Sequence, residues 1–404
     1  MGINAIVGQS GGPTSAINAT LAGVIRGAHA YGIDKLYGMK NGIEGLLNED
    51  ICDLSYLFGN EKELSLLDGT PSSILGSCRK RLPPSIDDET YVKAFSILEK
   101  YGIKYFFYIG GNDSMDTVAK LDKYAKENGK AISFVGIPKT IDNDLVLTDH
   151  TPGFGSAAKF IATTVQEIAG DCAVYKLNAV TIVEAMGRDA GWLTASSALA
   201  KHFTGQGADL VYLPEVPFSP DEFISSVKEL LKEKPNIVVV VSEGARLADG
   251  RYVGESNQNG ATDAFGHKYL AGAGKVLESM IRAKIGCKVR SVELNLPQRC
   301  AGHILSRTDI TESVKIGKES VRMAIDGKNG IMSTFVREDG EYGIEISFVP
   351  VSEVANKVKS VPMEYINEKG NNVTEECIRY IAPLVCGEVQ KRYENGLPVH
   401  FKLR

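Results

Sequence analysis

Apolar residues in this chain fall into short continuous runs, separated by longer stretches in which they recur at helical spacing. The runs NAIVG (Asn4 to Gly8), KYFFYIG (Lys104 to Gly110), ISFVGI (Ile132 to Ile137) and VTIVEA (Val180 to Ala185) read as strands. So do DLVYL (Asp209 to Leu213), NIVVVVS (Asn236 to Ser242) and VRSVEL (Val289 to Leu294). A run without polar alternation suits a strand covered on both faces, which is the situation of a parallel sheet between helices. Helices are predicted to follow from Ser15, Ser114, Ser156, Ala190, Pro220, Thr262 and Asp309. A hairpin is expected from Gly330 to Val349, with its turn at Asp339-Gly340. Alternation of strand and helix predicts an α/β fold. The proline and two glycines of DHTPGFG (Asp149 to Gly155) mark the best place for a crossing between domains.

Composition narrows the class. The chain has 404 residues, 43% of them hydrophobic, and at roughly 100–200 residues per domain two domains are expected. A formal charge of −5 speaks against a nucleic-acid partner, so any anion must be held by local groups. Cys52, Cys78, Cys172, Cys287, Cys300, Cys377 and Cys386 are scattered without a CxxC pair, as expected of free thiols in a reducing cytosol. MGINAIVGQSGG lacks the basic and apolar regions of a signal sequence. No apolar stretch approaches the roughly 20 residues of a membrane span. These features predict a cytoplasmic protein that does not enter a membrane.

The chemistry gathers where strands end, which is where open α/β sheets bind ligands. GQSGGPTSAIN (Gly8 to Asn18) follows the first strand and opens a helix. Its glycines let backbone N–H groups approach an anion, although a tight turn alone explains such a pair equally well. GGNDSMD (Gly110 to Asp116) repeats the arrangement, with Asn112, Asp113 and Ser114 as candidate caps. GSCRKR (Gly76 to Arg81) supplies three consecutive cations, whose guanidinium groups suit phosphate oxygens. GIPKTIDND (Gly136 to Asp144) sets Lys139, Thr140, Asp142 and Asp144 at a third exit. EAMGRDAGW contributes Arg188, SEGAR contributes Glu243 and LNLPQRCAG contributes Arg299. Taken one at a time these are ordinary surface groups. Together they describe a site for a phosphorylated sugar beside a phosphate loop. Asp113 is the odd member, since a carboxylate next to that loop should exclude something or hold a cation.

GQSGGPTSAIN, GSCR, GGNDS, PKTIDND, TPGFG, MGRDAGW, SEGA and PQR occur in the order seen in the phosphofructokinase family. The resemblance runs from about Gly8 to Arg307, and TIDND and MGR are its most specific motifs. It implies two Rossmann-like, three-layer α/β domains with the active site in the cleft between them. Residues 1–153 plus about 297–350 would bind diphosphate, and 154–296 plus about 351–404 the sugar phosphate. ATP-dependent members usually have glycine where this chain has Asp113 and Lys139, so the pair resembles the diphosphate-dependent type. A carboxylate at Asp113 would repel a nucleotide α-phosphate, while Lys139 adds charge for the terminal diphosphate oxygens. The implied reaction is reversible phosphoryl transfer from diphosphate to the 1-hydroxyl of fructose 6-phosphate, with Mg²⁺ as cofactor.

The resemblance also implies roles for individual residues. Gly11, Gly12, Gly111 and Ser114 would hold diphosphate, with Arg79, Lys80 and Lys139 adding charge. Asp142 would be the base, Thr140 would hold the transferring group, and Asp144 would support the base and the metal shell. Met186, Gly187 and Arg188 would contact the sugar phosphate, Glu243 a sugar hydroxyl and Arg299 the 6-phosphate. Arg290, on a strand that reads as half buried, would come from a neighbouring subunit, which implies a homodimer or homotetramer. The chain departs from the family in three places: Asn112 replaces the usual metal-associated aspartate, Ala179 a frequent arginine, and Leu296 a histidine common in ATP enzymes. The alternatives are an ATP-dependent member, a non-catalytic regulatory subunit of the same fold, or another acceptor such as sedoheptulose 7-phosphate. A regulatory subunit would be expected to lose the TIDND carboxylates or the MGR arginine, and both are present.

Overall fold

A computed structural model describes residues 2–254 and 272–404. The helix expected from Thr262 lies outside the described residues. The strands, in chain order, are β1 (Asn4–Gln9), β2 (Lys35–Met39), β3 (Ile51–Asp53), β4 (Ile103–Gly110), β5 (Ser133–Pro138) and β6 (Ala179–Ala185). They continue with β7 (Leu210–Tyr212), β8 (Asn236–Ser242), β9 (Lys288–Glu293), β10 (Ile331–Arg337) and β11 (Ile344–Pro350), and end in a two-residue pair, β12 (Tyr393–Glu394) and β13 (Leu397–Pro398). One sheet runs β11-β10-β5-β4-β1-β2-β3 and another runs β7-β8-β6-β9. The second is parallel throughout. The first is parallel except at its edges, where β3 and β11 run antiparallel to their neighbours.

The continuous apolar runs have their cause in the layers. On β4, Phe107 and Ile109 join the core on one face, and Phe106 and Tyr108 the core on the other. On β8, Val238 and Val240 face one core while Val239 and Val241 face another. The central residues of such a strand meet apolar neighbours on both faces, so no polar alternation is selected there. Helices Ile17–Ala30 and Arg307–Ile325 cross at Gly23 and Gly317. A Cβ on Gly23 would stand 2.2 Å from the Val314 carbonyl oxygen, so this crossing admits no side chain there.

All seven strands expected from the pattern are present, and β10 and β11 form the expected hairpin. Its connection spans residues 338–343, longer than a two-residue turn, with Gly340 at φ +96°. Nothing in the pattern predicts β2 and β3, or helices Gly42–Leu47, Glu61–Asp68 and Glu89–Lys100. β2 carries a lysine and a glycine, and β3 has three residues, so neither shows an apolar run. Helices also begin a residue or two from the expected positions. Thr14, rather than Ser15, receives the first amides of Ile17–Ala30 through its Oγ1.

The segment after β11 touches both halves. Ile366, Cys377 and Ile381 join the core containing Trp192, whereas Phe401 lies in the core beneath β1. All seven cysteines are free thiols. Among the described residues no helix is long and apolar enough to cross a membrane.

Candidate active site

The exits of β1, β4 and β5 from the first sheet, and of β6 and β8 from the second, open on one cleft of about 430 Å³. Of the residues expected there, it is lined by Gly11, Gly12, Arg79, Lys80, Gly111, Asn112, Asp113, Ser114, Lys139, Thr140, Asp142, Asp144, Met186, Arg188, Glu243 and Arg299. Groups more than 280 residues apart in sequence thus share one enclosure, as the Ser15 Oγ bond to the Arg299 carbonyl illustrates.

On the diphosphate side, Gly11 sits at φ +76° and its amide is already donated to the Cys78 carbonyl at 3.2 Å. Lys139 is 2% exposed and donates from Nζ to the Gly12 carbonyl at 2.6 Å. Burial, reinforced by Arg299 and Arg79, pushes its ammonium down to about 8, while Asp142 and Asp144 oppose the shift. Gly111 is the N-cap of helix Asn112–Glu127 and makes no side-chain cap bond. Asn112 and Asp113 are therefore first-turn residues, not caps. A helix N-terminus without a side-chain cap turned toward a cleft favours anions. Asp113 pairs with Arg81 at 2.9 Å, a contact no motif indicated. Asn112 donates from Nδ2 to the Lys357 carbonyl at 2.8 Å. Its Oδ1 is buried without a hydrogen-bond partner among the described residues.

At the centre stand the carboxylates of the β5 exit. Enclosure in the cleft, and then the neighbouring Asp144, push Asp142 up to about 7; Lys139 and Arg188 pull the other way. Burial raises Asp144 as well. The Asp142 amide donates to Thr140 Oγ1 at 3.1 Å, and Thr140 is tied in turn to Pro152 and Thr151.

The sugar-phosphate side is more altered from expectation. Arg188 lines the cleft with its Nε buried and lacking a partner among the described residues. Glu243 accepts from the Gly187 amide at 3.4 Å, and burial, followed by Asp142, pushes it up to about 8. A carboxyl shifted that far is able to donate as well as accept a hydrogen bond near neutral pH. Gly187 does not line the cleft; its amide serves Glu243 and its φ is +119°. Arg299 turns toward the first half, since a Cβ on Gly12 would lie 3.5 Å from its Nη1. β9 is half buried at Val289, Ser291 and Val292 as expected, but it is an edge strand on which Arg290 is exposed, and Arg290 does not line this cleft. Arg81, the third cation of GSCRKR, also lines it, and sequence reasoning passed over Ser10, Thr14, Asp189, Asn356 and Val358. The last two come from a stretch after β11 that has neither strand periodicity nor glycine pairs.

The phosphofructokinase family model matches residues 4–324. The chain belongs to the phosphofructokinase family. Among its phosphofructokinase relatives, a protein from Halomonas elongata named pyrophosphate–fructose 6-phosphate 1-phosphotransferase is 40% identical over 408 residues. That match covers 99% of this chain and 96% of the relative. A Methylococcus capsulatus protein of the same name is 39% identical with the same coverage. The crystal structure of a pyrophosphate-dependent phosphofructokinase from Nitrosospira multiformis superimposes with a TM-score of 0.88 at 35% identity, covering 98% of this chain and 95% of that one.

Proposed function

We propose that this cleft transfers a phosphoryl group reversibly from inorganic diphosphate to the 1-hydroxyl of fructose 6-phosphate, giving fructose 1,6-bisphosphate and phosphate. The observation that carries the reading is Asp142, a carboxylate enclosed between the cations of both halves and pushed up to about 7. A base for a hydroxyl works best when its pKa lies near the operating pH. The names of the full-length relatives support the same donor and acceptor.

In the forward direction the sugar O1 attacks the terminal phosphorus, the bond from that phosphorus to the bridging oxygen breaks, and phosphate leaves. The O1 proton passes to Asp142. Positioning and charge compensation supply most of the rate in such transfers. Gly12, Gly111, Ser114, Arg79, Lys80 and Lys139 hold diphosphate, Gly11 shapes the loop with its amide bonded to the Cys78 carbonyl, and Thr140 and Asp144 flank the transferring group. Met186, Arg188, Glu243 and Arg299 take the sugar phosphate, with Gly187 acting through Glu243. Residues 1–153 plus about 297–350 form the diphosphate side and 154–296 the sugar side, while 351–404 pack against both. Arg290 reaches the site of a second copy, so the working unit is a homo-oligomer in the cytoplasm.

Mg²⁺ fits this donor set. Such an ion takes one or two protein oxygens and fills the rest of its shell with phosphate oxygens and water. Asn112 Oδ1 is an oxygen without a partner among the described residues, and Asn112 lines the same cleft as Asp142 and Asp144. No group of three His, Cys, Asp or Glu among the described residues offers a cage of its own. Asn112, with Asp142 or Asp144 through water, would hold the ion, which when bound neutralises charge on the diphosphate oxygens.

Donor choice rests on Asp113 and Lys139. Asp113 stands in the cleft wall, where a nucleotide α-phosphate would meet its charge, and Lys139 faces the Gly-Gly loop. The test is a coupled assay of the purified protein with fructose 6-phosphate and Mg²⁺, comparing diphosphate with ATP. Turnover is expected with diphosphate and little or none with ATP. Equal turnover with both would overturn the donor assignment, and none with either would overturn the reading.

A further inference from the structure

Asn143 stands between Asp142 and Asp144, wholly buried and in the left-handed region at φ +54°. Asparagine tolerates that conformation better than most residues, yet it is held only where its surroundings supply partners. Both ends of its amide are occupied: Nδ2 donates to the Tyr380 hydroxyl at 2.8 Å, and Oδ1 accepts from Lys359 Nζ at 3.3 Å. The same ammonium donates to the carbonyls of Thr148 at 3.1 Å and Asp149 at 2.7 Å, so all three of its protons are placed. The Lys359 amide donates to the Asp144 carbonyl at 2.8 Å, and the Tyr380 hydroxyl to the Asp149 carbonyl at 2.6 Å. On its other side, the Lys359 carbonyl accepts from Trp192 Nε1 at 2.9 Å.

Neither Lys359 nor Tyr380 lines the cleft, and both lie beyond the residues that match the family model. Yet between them they grip the loop at Asn143, Asp144, Thr148 and Asp149. Flipping the left-handed residue would swing the carboxylates on either side of it. We propose that Lys359 and Tyr380 are positioning residues, clamping Asn143 so that Asp142 and Asp144 both project into the cleft. The charge on Lys359 also favours the ionised form of Asp144, supporting the geometry with electrostatics. This inference rests on the phosphoryl-transfer reading above.

The test uses Lys359→Met, which keeps the stem and removes the ammonium, and Tyr380→Phe, which removes one oxygen. A misplacement of about an ångström costs on the order of a hundredfold in such reactions. For Lys359→Met, kcat should fall about ten- to a hundredfold, with KM for diphosphate and fructose 6-phosphate within about threefold. For Tyr380→Phe the same split is expected at a smaller size. Lys359→Ala should regain part of its kcat with added ethylammonium and none with tetramethylammonium at equal ionic strength. Independently of turnover, amide hydrogen exchange across residues 140–149 should quicken in Tyr380→Phe while the sheets stay protected. Should the Lys359 variants fail to fold, Tyr380→Phe decides by both readouts. Wild-type kcat in the folded variants, or a loss confined to KM, overturns the clamp while leaving the reaction intact. An inactive wild type overturns the reaction, and unchanged exchange then overturns the clamp as well.

Discussion

If Asp142 takes the O1 proton forward, it must return that proton in reverse, so the two directions should depend on pH in opposite ways. An aspartate in water titrates near 3.9, far below neutral pH, but enclosure and Asp144 push this one up to about 7. The group is charged above its pKa, so the forward reaction needs pH above about 7 and the reverse needs pH below it. For a single group at that position, about half is ionised at pH 7, about a tenth at pH 6 and about a hundredth at pH 5. Forward kcat/KM should therefore drop about tenfold per unit on the acid side, while the reverse rate drops on the alkaline side. Asp142 interacts with the charges of Asp144 and Glu243, so the observed midpoint belongs to the cluster. Diphosphate and phosphate also change charge in this range, and Asp142→Asn provides the control. That variant should lose about 10²–10⁴-fold in kcat and retain no limb of its own beyond the substrates' titration. The assay is initial rate from pH 5 to 9 in both directions, for wild type and variant, at constant ionic strength. A forward limb near pH 4, or a variant with the wild-type limb, would refute Asp142 as the base.

Asp113→Gly combined with Lys139→Gly should lose diphosphate turnover and gain some with ATP; a double variant still driven by diphosphate alone counts against these residues as the donor switch. Excess EDTA should abolish activity, with Mg²⁺ restoring it, because Arg79 and Lys139 cannot balance the charge of the transferring group by themselves; full activity in EDTA would defeat this. Arg290→Ala should raise KM for fructose 6-phosphate more than it lowers kcat. Mixed with Asp142→Asn, it should restore activity at hybrid dimers, one of whose two sites keeps both wild-type groups; verified hybrids without recovery, or a fully active monomer in sedimentation, exclude a shared site. Gly23→Ala should cost about 1–3 kcal/mol of stability by chemical denaturation, since its Cβ meets the Val314 carbonyl at 2.2 Å; an unchanged midpoint would mean the helices part freely there.

What the sequence determined by itself is local in origin. Strand and helix alternate at Asn4 to Ser156 because side-chain periodicity and turn chemistry act between near neighbours. For the same reason Gly11, Gly111, Lys139, Asp142, Arg188 and Glu243 could be placed at strand exits, and parallel strands point such exits to one side. β2 and β3 escaped because they are short, and their burial comes from neighbours rather than from their own pattern. The tertiary structure alone decided the rest. Arg81 meets Asp113 only after the GSCRKR loop folds onto the helix at Asn112. Asn143 reaches Lys359 across 216 residues and Tyr380 across 237. Enclosure shifted both Asp142 and Glu243 upward, and desolvation is a property of the surrounding walls, not of a motif. Arg290 came out exposed because β9 lies at a sheet edge, and edge position is set by the order in which distant strands pair.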